Sequence, residues 1–149
     1  GLNLSPARRL AVNDFQKARL APQELLAPPQ LWATLDYNTV DSPDVRGTLN
    51  STAQRPGTGH GIVACFETCL ADGIGFSNAP SAPELVYGSM FLPWTEPVSL
   101  AEGQEVSVDL AASLVENDYV WRWTTQIDSA DGSGSGRRFE QSQLAGAVI

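Results

Sequence analysis

The sequence predicts a mainly β fold, a barrel or sandwich-like barrel of about seven to nine short strands preceded by a short helical arm. Three observations lead there. The apolar period changes from helical to two at Leu31. Turn signals, Asp72-Gly73 and Glu116-Asn117-Asp118, then separate alternating runs. The runs are short and numerous, as closed or stacked sheets require.

The first thirty residues read as the arm. Ser5-Pro6 is an N-cap and first-turn pair, and Ala7, Leu10 and Ala11 share one face, so a helix is expected over about 6–14. A second helical turn is expected at Pro22-Gln23-Glu24-Leu25-Leu26, stopped by Pro28-Pro29. The division is therefore a helical arm at 1–30 and a β-barrel domain at 31–149.

Within the barrel domain, Leu31, Ala33, Leu35 and Tyr37 alternate with Trp32, Thr34 and Asp36, which predicts a strand. Further strands are expected at about 45–50, at about 61–70 with Ile62, Ala64, Phe66, Thr68 and Leu70 on one face, at about 74–78 and at about 86–92. Val106, Val108 and Leu110 alternate with Ser107 and Asp109. The clearest strand sets Tyr119, Trp121, Trp123, Thr125 and Ile127 against Val120, Arg122, Thr124 and Gln126. Asp131 to Gly136 is too rich in glycine for regular structure and reads as a flexible loop, after which a last strand at about 137–144 closes the sheet.

Composition bounds the function. Charged residues are 17% of 149, below the roughly 25% usual in soluble domains, and 17 acidic against 9 basic side chains give −8. Lys17 is the sole lysine, and cations pair up only at Arg8-Arg9 and Arg137-Arg138, so nucleic acid is not an expected partner. No apolar run reaches the roughly 18 residues of a membrane span, and no signal peptide is evident, so the expected location is cytoplasmic. The chain starts without Met, running from Gly1-Leu2-Asn3-Leu4 straight into a helix signal, and is expected to be a piece of a longer protein. Cys65 and Cys69, four apart on one strand, would lie about 13 Å apart, too far for a disulfide, and are expected to be buried small hydrophobes.

No catalytic, cofactor-binding or metal-binding residue is assigned within the chain. The only histidine, His60, sits between glycines with no serine in a nucleophile-elbow context, and it is too few for a structural zinc site. Asp36, Glu67 and Asp109 look like ordinary polar strand positions rather than paired glycosidase carboxylates. No glycine turn joins a strand to a helix, so a nucleotide has no cradle. The Tyr119, Trp121, Trp123 stripe is expected to be a core face, although such a stripe also suits a sugar-stacking platform.

Read in order, several segments resemble the C-terminal part of protein arginine methyltransferases and their bacterial relatives, over nearly the whole chain. Gly1-Leu2-Asn3-Leu4-Ser5 resembles the start of that family's arm, and Leu35-Asp36-Tyr37-Asn38-Thr39-Val40 the strand ending in Thr-Val that leaves it. His60-Gly61-Ile62-Val63-Ala64-Cys65-Phe66, followed by Glu67, is similar to the strand that comes next. Phe76-Ser77-Asn78-Ala79-Pro80 stands where the family has a Ser-x-x-Pro turn, and Leu92 to Gly103, with Glu96-Pro97-Val98 and Glu102-Gly103, resembles the following connection.

The resemblance implies a barrel that meets a preceding Rossmann-type domain, the partner that binds S-adenosylmethionine and holds the family's two acidic guanidinium ligands. It further implies a homodimer formed through the arm, and a chain not catalytic by itself. Where the family carries Thr-His-Trp, this chain reads Leu85-Val86-Tyr87. Val86 and Tyr87 are accordingly the candidate substrate-binding residues. The histidine's absence leaves the acceptor open between arginine and another protein or small-molecule group. The competing expectation is a free-standing β-sandwich module that binds a glycan or peptide through Trp121 or Trp123.

Overall fold

The computed structural model describes residues 4–129 and 136–146. Its order is α1 (Ser5–Val12), β1 (Gln16–Ala18), a 3-10 turn (Pro22–Glu24), β2 (Val45–Thr52), β3 (Gly57–Ala64), β4 (Glu67–Ala71), β5 (Ile74–Ser77), β6 (Ser89–Leu100), β7 (Glu105–Val115), β8 (Asp118–Ile127), β9 (Arg137–Ser142) and α2 (Gln143–Gly146). The mainly β, barrel-like class is as the alternation predicts. The glycine-rich stretch expected as a loop lies, apart from Gly136, outside the described residues.

All pairings are antiparallel. One sheet has the order β1-β6-β3, a second has β2-β7-β8-β9, and β4-β5 form a separate hairpin. The two larger sheets enclose the core. On β8 the predicted alternation holds, with Trp123 and Thr125 fully buried and Ile127 nearly so, because their side chains all point to the opposing sheet. They meet Leu92, Trp94, Val98 and Leu100 from β6, with Leu110 of β7 and Phe139 of β9 completing two contiguous apolar clusters.

Both buried indoles carry an N–H that must find an acceptor away from water. Trp94 donates to Thr125 Oγ1 at 3.1 Å, and Trp123 donates to the Pro93 carbonyl at 3.3 Å. The same carbonyl accepts from Gln141 Nε2 at 2.6 Å. Each sheet thus supplies a donor to the other. Gly59 makes room for this arrangement, since a Cβ there would sit 2.6 Å from the Trp94 ring.

Segment 4–30 is attached to the barrel at several points. Strand β1 pairs with Ser89, Met90 and Phe91 of β6. Val12 O accepts from Gln141 Nε2, Asn13 Oδ1 accepts from Ser142 N–H at 3.2 Å, and Leu26 packs on the core.

Four expectations are corrected. Residues 31–37 form no strand: Leu31 is 79% and Tyr37 86% exposed, while Trp32, on the other side of the alternation, is the one that packs, its ring 5.7 Å from that of Trp121. The end of this run is drawn into a turn, where Asp36 O accepts from Thr39 and Val40 N–H, and residues 31–35 pair with no strand among the described residues. The expected strand at 61–70 is two strands broken at Cys65-Phe66. Both cysteines are exposed rather than buried: Cys69 lies on the two-stranded β4-β5 hairpin, over which no second layer lies among the described residues, and Cys65 lies in the break before it; both are free thiols. Finally, the strand expected at 86–92 begins only at Ser89, which leaves 78–88 as a loop.

Replacing Thr125 by Val keeps the volume but removes the acceptor of a buried indole N–H. The expected cost is about 1–3 kcal/mol, against about 3–5 kcal/mol for Trp123→Ala, which also opens a cavity. Urea unfolding with an unchanged denaturant slope measures both; a Thr125→Val protein as stable as the parent would show that the bond contributes nothing.

Candidate functional site

The candidate residues Val86 and Tyr87 lie in the loop between β5 and β6. Its two ends are tied by one side chain. Asn78 Oδ1 accepts from Phe66 N–H at 2.7 Å, and Asn78 Nδ2 donates to Gly88 O at 2.9 Å. Ser89 Oγ donates to Asn78 O at 3.0 Å, while Ser77 Oγ donates to Phe66 O at 3.0 Å and accepts from Ala79 N–H at 3.1 Å. The Ser-x-x-Pro turn noticed in the sequence is therefore the neck of a closed loop. Gly88 lets β1 approach, since a Cβ there would be 2.9 Å from Ala18 O.

On the loop, Tyr87 stacks on Phe76 with centroids 6.5 Å apart, and Phe66 stands edge-on to Phe76 at 5.6 Å. All three rings remain partly open to solvent, and Val86 is 84% exposed. The other side of the loop faces segment 18–21. There Arg19 forms an ion pair with Glu84 and reaches toward Leu85 O, and a cleft of about 390 Å³ lies between them, bordered by Glu24, Asn78 and Tyr87. The structure thus brings Tyr87 into an aromatic cluster and leaves Val86 in open solvent. Phe66, Phe76, Asn78 and Arg19 are site-building residues whose convergence sequence reasoning missed. The Asp72-Gly73 hairpin signal could have brought Phe66 and Phe76 near each other, but it does not fix their register.

A second polar region covers the outer face of the four-stranded sheet. Residues opposite one another across β7, β8 and β9 form rows: Ala111, Arg122 and Ser142; Asp109, Thr124 and Glu140; Ser107, Gln126 and Arg138. Arg46, from β2, grips Asp109 bidentately, Nε to Oδ1 at 3.2 Å and Nη2 to Oδ2 at 2.8 Å. These hydrogen bonds, together with the charges of Arg46 and Arg122, hold the Asp109 carboxyl below its ordinary pKa against a smaller opposing effect of burial. The same pairing raises Arg46.

The remaining candidates are dispersed. Asp36 caps its own turn and is lowered chiefly by the Asn38 N–H. Glu67 is exposed at the start of β4, and His60 is exposed at the irregularity where β3 shifts register on β6. Among the described residues, no three of His, Cys, Asp and Glu gather as a metal site, and no helix is long and apolar enough to cross a membrane. Trp123 is wholly enclosed, Trp121 is half-buried against Trp32 and Tyr119 is 41% exposed, so the stripe is a core face at Trp123 and opens to solvent toward Tyr119.

The sequence matches no protein-family model and no curated protein. The fold is similar to that of a chain in the Trypanosoma brucei PRMT1 enzyme-prozyme heterotetrameric complex with AdoHcy, with a TM-score of 0.74 at 13% identity. The alignment covers 95% of this chain and 48% of that one, so the present chain spans about half the length of its structural neighbour. At that identity the likeness is one of fold. The Leu35–Val40 segment that resembled a family strand is the turn described above.

Two outcomes follow from this geometry. Asn78→Ala removes both hydrogen bonds of the Asn78 side chain at the neck, so amide exchange at Phe66 and in loop 79–88 should accelerate at least about tenfold while β7 and β8 amides keep their protection; unchanged exchange in the loop would show that the neck is held by the Ser77 and Ser89 hydroxyls instead. Asp109 has a folded-state pKa depressed below 3.8, so its contribution to stability is full above that value and disappears as pH falls through the folded pKa. The parent should therefore exceed Asp109→Asn in stability at neutral pH, and the gap should close in acid; a gap that persists with the carboxyl protonated would refute the ion-pair origin.

Proposed function

We propose that this chain is the barrel portion of an S-adenosylmethionine-dependent methyltransferase, contributing acceptor binding and dimer contacts, with a Rossmann-type cofactor domain preceding it in the natural protein. One observation carries the reading: 95% of this chain aligns in fold with about half of a chain from an enzyme complex containing AdoHcy. The cofactor itself does not fit the residues described. Among the described residues, no glycine turn joins a strand to a helix, as the cradle of a nucleoside cofactor would require. No step of methyl transfer is therefore assigned to these side chains.

What the barrel contributes is a surface. The loop with Val86 and Tyr87 is rigid at its neck and carries an aromatic face, as an acceptor-positioning element requires. An aliphatic Val86 neither donates nor accepts a hydrogen bond, so it cannot orient a carboxylate as a histidine would. Under this reading transfer to arginine is weakened, and the acceptor is open between arginine and another protein or small-molecule group.

The test uses the isolated chain and the product of the complete natural gene side by side, each titrated calorimetrically with S-adenosylmethionine and assayed with methyl-labelled cofactor. The complete protein is expected to bind and to label an acceptor, and the isolated chain to do neither. Micromolar binding by the isolated chain, or a complete protein without cofactor binding, would sink the proposal.

A further inference from the structure

The outer face of the four-stranded sheet carries a charge imbalance that the fold does not require. Three guanidinium groups, Arg46, Arg122 and Arg138, share it with two carboxylates, Asp109 and Glu140. Both carboxylates are committed. Asp109 uses both oxygens on Arg46, and Glu140 Oε1 accepts from Arg138 Nε at 2.8 Å. Arg122, between Ala111 and Ser142 in the middle of the sheet, makes no hydrogen bond or close ion pair with its side chain among the described residues, although its charge is felt at Asp109. This positive site belongs to a chain whose net charge is −8.

The surroundings of Arg122 are shaped for a small ligand. The depression over the sheet beside Arg122 has a volume of about 620 Å³. Its lining adds the hydroxyls of Ser107, Thr124 and Ser142 and the amide of Gln126. Hydroxyls both donate and accept, which suits a ligand bearing hydroxyls of its own, while a guanidinium fork matches the two oxygens of a carboxylate.

We infer that this depression binds a small polar carboxylate, of the hydroxy-acid type, through Arg122. Charge decides between oxyanions. Three cations and two anions leave one positive charge, which one carboxylate neutralises. A phosphate dianion would leave an excess negative charge beside Asp109 and Glu140. The inference rests on the sheet alone and is independent of the methyltransferase reading.

The experiment titrates the labelled chain with glycerate, acetate and inorganic phosphate, following the Arg122 Nε–H and the amides of Thr124 and Ser142 by NMR. Glycerate should saturate in the millimolar range, with acetate weaker for want of hydroxyls and phosphate weaker for its second charge. Arg122→Gln should weaken glycerate at least about tenfold, whereas Arg137→Gln, which removes a guanidinium paired with Glu96 away from the depression, should leave it unchanged. No saturation by glycerate up to about 100 mM, tighter binding of phosphate, or equal affinity in Arg122→Gln would each overturn the inference.

Discussion

The structure depends on two indole hydrogen bonds that cross between the sheets. An apolar core alone would let β6 slide against β8, because dispersion and burial are nearly indifferent to small translations. A buried N–H is not indifferent, since leaving it unpaired costs more than the bond itself contributes. Trp94 of β6 finds Thr125 of β8, and Trp123 of β8 finds Pro93 of β6, so the tie runs in both directions. Gln141 adds β9 to the same carbonyl. The register between the sheets, and with it every position on their outer faces, follows from those bonds.

That register explains why the two polar regions are placed as they are. Strand β6 begins at Ser89, which is both its first residue and the partner of Asn78 in the loop neck. Fixing β6 therefore fixes the end from which Tyr87 is presented. On β8 the period of two turns every residue beside a core residue outward, so that burying Trp121, Trp123 and Thr125 obliges Arg122 and Thr124 to face solvent. The same strand supplies the core and the outer charged face, and neither can be moved without the other.

Much of this was legible in the sequence where burial is one-sided. The β8 alternation, both turn signals and the late strand at Arg137 are such cases, since a half-buried strand must alternate. The run from Leu31 to Tyr37 alternates equally well and is no strand, because periodicity reports which faces differ and says nothing about whether an edge is available to pair with. Strand β1, of three residues, is too short to show a period. The hairpin misled in another way. The Asp72-Gly73 turn was correctly located, but the pairing shifts between Cys69 and Ala71, so that Phe76 lies opposite Thr68. One extra residue changes which side chains meet, and no local propensity announces it. The aromatic cluster at the loop was invisible for that reason, and the two cysteines were misjudged because the hairpin leaves the sheets.

This hairpin is also where the molecule is least self-sufficient. Two strands without a second layer are marginal in water, and Leu70 and Ile74 on it are 67% and 61% exposed. Its attachments are local: the Asn78 amide on Phe66, the Ser77 hydroxyl on the same residue, and ring contacts among Phe66, Phe76 and Tyr87. Polar ties fix direction and ring contacts fix distance, so the hairpin and the loop hold each other, and the loop neck is anchored on buried Ser89 at the start of β6. Such a surface is held over a few residues by its own hydrogen bonds and is tied back to β6 through Ser89 and to segment 18–21 through Arg19. The sheet face around Arg122 has the opposite character, since its backbone is fixed on three strands and only side chains can adjust.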